Sequence, residues 1–393
     1  MQASFPLLMA WLHKRRRLTP AMLSEPEAVK FIEQMTAGFN SAVDKSIRQV
    51  PIDDISRRRL QESNYIFSGI KTFHELNEAF PSLLDEEGNI KPFERFLNDV
   101  QSINDTYNGS YLRTEYNFAR NSALMAAKWK EFEASGDRYH LQYRTAGDER
   151  VRASHQRLQG ITLPITSRFW DDYLPPNGYG CRCDVVQVRK GKYPLSDEQE
   201  ALNLASQATA GKHQEMMKFN PGKEMTTFPA YNAYTRSICK SCKNRPGNIS
   251  LAADIPDNEL CAACKIVCEM RNSLKRQRKE IKEWASENLI GQKVTIDKLT
   301  SPVEFKMKNI KEILNQPHSN VRAKNEALRN IVQILKDGEY YKLAQDEKGN
   351  PMVKQYHYIA IKINDIQSYA VIRELITGEC HLYSIVEKLR QKK

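Results

Sequence analysis

Seven of the eight cysteines fall between Cys181 and Cys268, in closely spaced sets rather than spread along the chain as disulfide staples usually are. The most ordered set is Cys239-x2-Cys242-x18-Cys261-x2-Cys264. A two-residue gap lets both thiolates of a pair turn toward one cation, and four sulfurs complete the tetrahedral shell that zinc takes. Such a Zn2+ site is structural, because in small units metal binding contributes on the order of 10 kcal/mol of folding free energy without any catalysis. Four thiolates would also hold an iron-sulfur cluster, or could remain core thiols, and Cys268 is a fifth candidate ligand. The triplet Cys181-Arg182-Cys183 poses a second question. Residues i and i+2 of an extended strand share a face, so both sulfurs could meet one metal together with His155. The plainer alternative packs the two cysteines beneath a proline-rich turn, with His155 hydrogen-bonded to an acid such as Asp148. Thiols used in either way are reduced, which points to a cytoplasmic setting.

The elements that must position these groups follow from periodicity. Residues 1–135 read as a helical N-terminal region, with apolar positions recurring at three and four spacing over 28–43 and 112–132. Ser24, two residues before Pro26, is a candidate helix cap, and no short motif in this part carries chemistry. Residues 136–190 form a loop-rich, densely functionalised core. Residues 191–236, with Pro194, Pro221-Gly222 and Pro229, read as a partly helical connector. Residues 237–290 hold the four-cysteine segment and a basic helix over 271–288. Residues 291–393 predict two helices, at 303–315 and 321–336, followed by strands near 340–344, 356–363, 368–374 and 381–385. Turn residues between the strands, such as Asn364-Asp365 and Thr377-Gly378, favour an antiparallel meander. The predicted whole is a multidomain α+β protein.

Composition narrows the partners. A chain of 393 residues has room for two to four domains of the usual size, and 40% hydrophobic residues exclude wholesale disorder. The apolar stretch 5–12 is far short of the roughly 20 residues a bilayer crossing needs, so no membrane span is expected. Its basic run, 13–17, follows it, whereas a secretory signal carries its charges in front. Lys and Arg total 59 against 48 acids, a net charge of +11, which favours nucleic acid or acidic protein surfaces as partners. Residues 291–393 carry 18 Lys and Arg against 12 acids, a surplus suited to a phosphate-bearing ligand.

The succession Tyr143-Arg144-Thr145-Ala146-Gly147-Asp148, Arg150 to Arg152, His155, Gly160, Phe169-Trp170 and the string from Pro175 to Cys183 resembles the signature of the phage Mu F-like minor head, or head-morphogenesis, family. The resemblance covers about residues 114–188. It implies a protein present in a few copies at the portal vertex of a phage or prophage capsid, acting in head assembly or DNA delivery. Portal and capsid proteins would be its partners, and it would reside in the virion after assembly in the bacterial cytoplasm.

Members of that family often carry a variable toxin-like domain at the C-terminus. Here Asn315-Gln316-Pro317-His318, Lys324-Asn325-Glu326, His357, Arg373-Glu374 and Leu382-Tyr383-Ser384-Ile385 resemble a phage-borne nuclease family of the barnase, EndoU, colicin and RelE-like fold. The resemblance implies metal-independent RNA cleavage and a possible immunity protein as partner. A base would take the 2′-hydroxyl proton, an acid would protonate the leaving oxygen, and a cation would stabilise the phosphorane. His318, expected as an exposed imidazole, would be base or acid, with His357 and His381 as alternatives. Arg373 would clamp phosphate, and Tyr383 and Ser384 would donate hydrogen bonds. The rival is a non-enzymatic head protein whose basic C-terminal domain binds RNA or DNA. If Ile359, Ile361 and Ile363 face the core, His357 shares their face while Tyr358 and Lys362 face away; which side of 368–374 is buried is left open.

Overall fold

A computed structural model describes residues 3–210, 215–230, 232–235, 255–346, 349–387 and 389. The protein is α+β and divides into two compact units, Met1–Cys268 and Glu269–Lys393.

The first unit begins with helices α1 (Phe5–Arg15), α2 (Pro26–Ile47), α3 (Asp54–Ala79), α4 (Phe93–Asp99) and α5 (Gln101–Asn104). A π-helical stretch, Asp105–Tyr111, leads into α6 (Leu112–Ser135). The spacing that predicts α2 is realised as one buried stripe of Ala28, Phe31, Ile32, Met35, Phe39 and Val43. Its cap differs from expectation. Ser24 closes a 3-10 turn and donates its hydroxyl back to the Ala21 carbonyl at 2.7 Å, so Glu25 occupies the cap position ahead of Pro26. Asp53 caps α3 instead, accepting from the Ile55 and Ser56 amides at 2.9 and 2.8 Å.

Beyond α6 follow β1 (Tyr139–Arg144), α7 (Ala153–Gln156), β2 (Thr162–Leu163), α8 (Phe169–Tyr173), β3 (Asp184–Arg189), α9 (Glu198–Ala208) and α10 (Pro221–Glu224). The strands form an antiparallel sheet of order β2-β1-β3. Its core gathers Trp129 and Phe132 from α6, Tyr143 from β1, Phe169 and Trp170 from α8, and Val185 from β3. Gly222 is required by close packing, because a Cβ there would lie 2.2 Å from the Cβ of Trp129. Helix α11 (Asp257–Asn288) carries the chain into the second unit.

That unit contains β4 (Lys293–Val294), β5 (Val303–Glu304), α12 (Met307–Asn315), α13 (Val321–Ala327) and α14 (Ile331–Asp337). The strands β6 (Glu339–Ala344), β7 (Val353–Ile363), β8 (Ile366–Leu375) and β9 (Cys380–Val386) follow. These last four make the antiparallel meander that the turn residues predict. The sheet is nevertheless six-stranded, in the order β4-β5-β9-β8-β7-β6, with β5 parallel to β9. Residues 303–304, predicted as helix, extend the sheet because Val303 is fully buried in register with Cys380. The predicted second helix is split into α13 and α14 by a 3-10 turn at Leu328–Asn330. On the covered face Ile359, Ile361, Ile363, Ala370, Ile372, Leu382 and Ile385 pack with Ile310, Ile313, Leu328 and Ile331 from the helices. Burial of each isoleucine or leucine among them is worth about 1.5–3 kcal/mol. No helix among the described residues is long and apolar enough to cross a membrane.

Candidate functional site

His155, Cys181 and Cys183 are brought together from two parts of the chain, the short helix α7 and the segment that enters β3. His155 sits on α7, whose first turn closes through the His155 amide and the Arg152 carbonyl at 2.9 Å. The cysteines lie just ahead of β3 rather than inside a strand. Gly180, at φ 74°, turns the chain into Cys181 in a conformation a side chain would resist, and Asn121 of α6 donates to the Cys181 carbonyl at 2.9 Å. Arg182 points outward and takes Asp148 in an ion pair that holds this carboxyl down to about 2. Asp148 is therefore not the partner of His155. The two sulfurs point inward, Cys181 fully buried and Cys183 half-buried, and His155 is 2% exposed.

The His155 Nδ1 atom stands 3.8 Å from the Cys181 sulfur and 3.7 Å from the Cys183 sulfur. With Zn–S of about 2.3 Å and Zn–N of about 2.0–2.1 Å, a tetrahedral angle separates such donors by about 3.6 Å. The donor set and spacing thus fit one zinc ion with a fourth position left for another ligand. Hydrogen bonding to Cys183, opposed by burial and reinforced by His155, pulls the Cys181 thiol well below its usual range; Cys183 is pushed up by Cys181 and by burial. A cation bound by both sulfurs would release whatever thiol proton they hold, because thiolates are the ligating form. Tyr143, buried beside them, has its ionisation pushed well up by burial and then by the two cysteines.

The second cysteine set is only partly described. Cys239 and Cys242 lie outside the described residues. Cys261 and Cys264 stand in the first two turns of α11, where a spacing of three places both on one helix face with Cys268 one turn on.

In the second unit, strand alternation separates the predicted catalytic residues. His357 faces the covered side, where its Nε2–H donates to Glu374 at 2.8 Å, so its Nδ1 accepts the Tyr340 hydroxyl at 3.0 Å. Burial would raise Glu374, but hydrogen bonds from Lys354, Gln355 and His357 outweigh it and hold it down to about 2. His318 is buried, not exposed. Its Nδ1 accepts the Asn320 amide at 3.0 Å and its Nε2 lies 3.1 Å from the Ser368 hydroxyl, with burial lowering it to about 4 despite Glu387.

Arg373 stands on the opposite face, because it is in register with Tyr356 and His381 while His357 is in register with Ile372. Tyr383, at a register shift in β9, lies under the Arg373 guanidinium with its ring centroid 4.8 Å away. Ser384 pairs with Val371 on the same face. The residues that the strands do gather are therefore Arg373, His381, Tyr383 and Ser384, without His318 or His357. Burial, followed by Lys306, lowers His381, whose Nε2 is 3.2 Å from Glu379. The side of β8 left open by its sequence is settled by Ala370 and Ile372, both fully buried.

A further group was invisible to motif reading. Lys71 of α3, fully buried, ion-pairs with Glu115 of α6 and donates to the Tyr107 carbonyl at 2.8 Å. Glu115 also accepts the Tyr234 hydroxyl at 2.6 Å. Glu75, one turn after Lys71, is fully buried and accepts from Asn108 at 3.2 Å; burial raises it to about 8 against the opposing pull of Lys71. The π-helical stretch supplies both Tyr107 and Asn108. Its only sequence signal is a Lys and a Glu at helical spacing inside an apolar run.

Residues 88–186 match the family model described as Phage Mu protein F like protein, and residues 272–383 match Large polyvalent protein-associated domain 3. The family matched by the second unit is this domain and not the nuclease family anticipated from its residues. Protein F of Escherichia phage Mu, named for capsid assembly, is 32% identical over 104 residues, 26% of this chain and 21% of its own length. The Mu-like prophage FluMu F protein of Haemophilus influenzae is 31% identical over 102 residues, 24% of this chain and 25% of its own. An uncharacterized protein of Methanocaldococcus jannaschii is 32% identical over 166 residues, 40% of this chain and 24% of its own. The chain thus spans about a quarter or less of each of these relatives. No solved structure matches it. Over the region that carries His155, Cys181 and Cys183, the chain is similar to the Phage Mu protein F like family.

Proposed function

We propose that the protein acts in the assembly of a phage or prophage head, bound to portal and capsid proteins and carried in the virion near the portal. The observation that carries this reading is the similarity of residues 88–186 to the Mu F-like family, whose relatives include a protein named for capsid assembly. A core at 136–190, a connector at 191–236, a four-cysteine segment at 237–290 and an effector domain at 291–393 are the working parts of the proposal. Zinc at His155, Cys181 and Cys183 would tie α7 to the segment entering β3, and a second zinc at Cys239, Cys242, Cys261 and Cys264 would fold the segment ahead of α11. Both are assigned a structural role, because zinc held by Cys and His ligands stabilises a small unit without any catalysis. The test is an in-frame deletion in the phage that encodes the protein. Particles should then lack filled heads, and complementing protein should sediment with heads; normal yields of filled, infectious particles would refute the proposal.

A second activity, metal-independent RNA cleavage in the C-terminal unit, is supported by one arrangement, the register pair Arg373 and His381 beside Tyr383 and Ser384. An imidazole could move the proton there while the guanidinium holds phosphate. The full chain should degrade RNA in EDTA, and His381→Ala should slow this by about 100-fold or more. Intact RNA would leave the C-terminal unit as a non-enzymatic binding module. A partner that neutralises the activity, an immunity protein, is expected only if cleavage is found.

A further inference from the structure

The helices of the second unit pack their apolar residues on one side of the six-stranded sheet. The other side carries aromatic and cationic side chains, set among Ala360, Val371, His381 and Ser384. Tyr356 and Tyr358 of β7 alternate with the buried His357 and Ile359, and so face away from the core. Tyr369 and Arg373 of β8 do the same, opposite Ala360 and Tyr356. Tyr383 of β9 meets Tyr356 with ring centroids 5.8 Å apart, and Tyr369 meets Tyr341 of β6 at 5.0 Å.

Cations lie among these rings. Lys342 stands 5.2 Å over the Tyr358 ring, Arg373 stands 4.8 Å over Tyr383, and Lys362 is exposed at the end of β7. Arg373 makes no ion pair with an acid among the described residues, and its Nε is buried without a hydrogen-bond partner there. Among the nearby acids, Glu304 holds Lys293 and Lys306, and Asp346 caps the Asn350 amide beside the Tyr356 hydroxyl. The exposed acids nearby are Glu339, which opposes Ala360, Asp365 in the turn after β7, and Glu379, 3.2 Å from His381.

A stiff sheet that offers flat rings at strand spacing, with unneutralised cations between them, matches a polymer of flat aromatic groups joined by anions. Duplex bases are stacked on each other and cannot reach such rings; unpaired bases can. We propose that this face binds single-stranded nucleic acid, stacking bases on Tyr356, Tyr358 and Tyr383 and holding phosphates with Lys342, Lys362 and Arg373. The inference uses the same face as the cleavage reading but requires no cleavage.

The test separates the two. Fluorescence anisotropy of the full chain with a labelled oligothymidylate measures binding alone, since a deoxy strand lacks the 2′-hydroxyl that cleavage uses. Binding should be tighter for the single strand than for a duplex of equal length. Tyr383→Leu and Tyr356→Leu should each weaken it by at least about 10-fold, while Tyr383→Phe, which keeps the ring, should bind within about 2-fold of the parent. Lys342→Ala should flatten the salt dependence by about one ion. Leucine variants that bind like the parent, or equal affinity for duplex, would overturn the proposal and assign binding to the basic residues near the C-terminus. RNA left intact while oligothymidylate binds and responds to the tyrosines would sink the cleavage reading alone.

Discussion

Lys71→Met is expected to lower the unfolding free energy of the first unit by about 3–5 kcal/mol, the usual cost of stranding one member of a buried ion pair. The methionine fills most of the lysine's volume, so the loss reports charge and hydrogen bonding rather than a cavity. Glu115 would keep its bond from Tyr234 but lose its cation, and the Tyr107 carbonyl would lose its donor. Adding Glu115→Gln should recover a large part of the loss, because the uncompensated carboxylate disappears with it. Denaturant titrations of the two single variants and the double variant give the coupling directly. Additive losses would show that the pair is not an interacting unit.

The same cluster sets a pH dependence. Glu75 is raised from 4.5 to about 8 by burial, so the folded state holds its proton where the unfolded chain releases it. The stability this contributes is complete below about pH 4.5 and is lost as pH rises toward 8, with Lys71, Glu115 and Glu78 as the charged neighbours that modulate it. Glu75→Gln, which keeps a neutral acceptor for Asn108, should flatten the melting temperature between pH 5 and pH 8 relative to the parent. A parent whose stability is level across that window would contradict the assignment.

The metal reading makes the second large prediction. The purified chain should contain two zinc ions. His155→Ala should remove one, Cys261→Ser should remove the other, and the double variant should hold none. Structural zinc contributes on the order of 10 kcal/mol in small metal-folded units. Loss at either site should therefore lower the melting temperature and make the affected segment protease-sensitive, with no catalytic readout needed. Elemental analysis and limited proteolysis measure both. Two zinc ions retained in His155→Ala would move that metal away from the His155, Cys181 and Cys183 group; the same result in Cys261→Ser would move the other away from the four-cysteine set.

Periodicity determined the α+β class and the helices α2 and α6, and together with turn residues the meander of β6 to β9, because spacing and turn chemistry are local properties of the chain. The sequence left two uses open for Cys181, Cys183 and His155, a shared metal or packing beneath a turn, and the fold brings the three side chains together. What alternation along β7 could not supply was the side on which β8 and β9 hide their residues, and so which imidazole would join Arg373. That choice depends on the helices covering the sheet and on a register shift in β9, and it places His381 rather than His318 or His357 beside the guanidinium. Lys71 and Glu115 are 44 residues apart and meet only when α3 packs near α6. Distant pairing and the selection of a buried face are made by contacts between elements, which is why only the tertiary structure decided them.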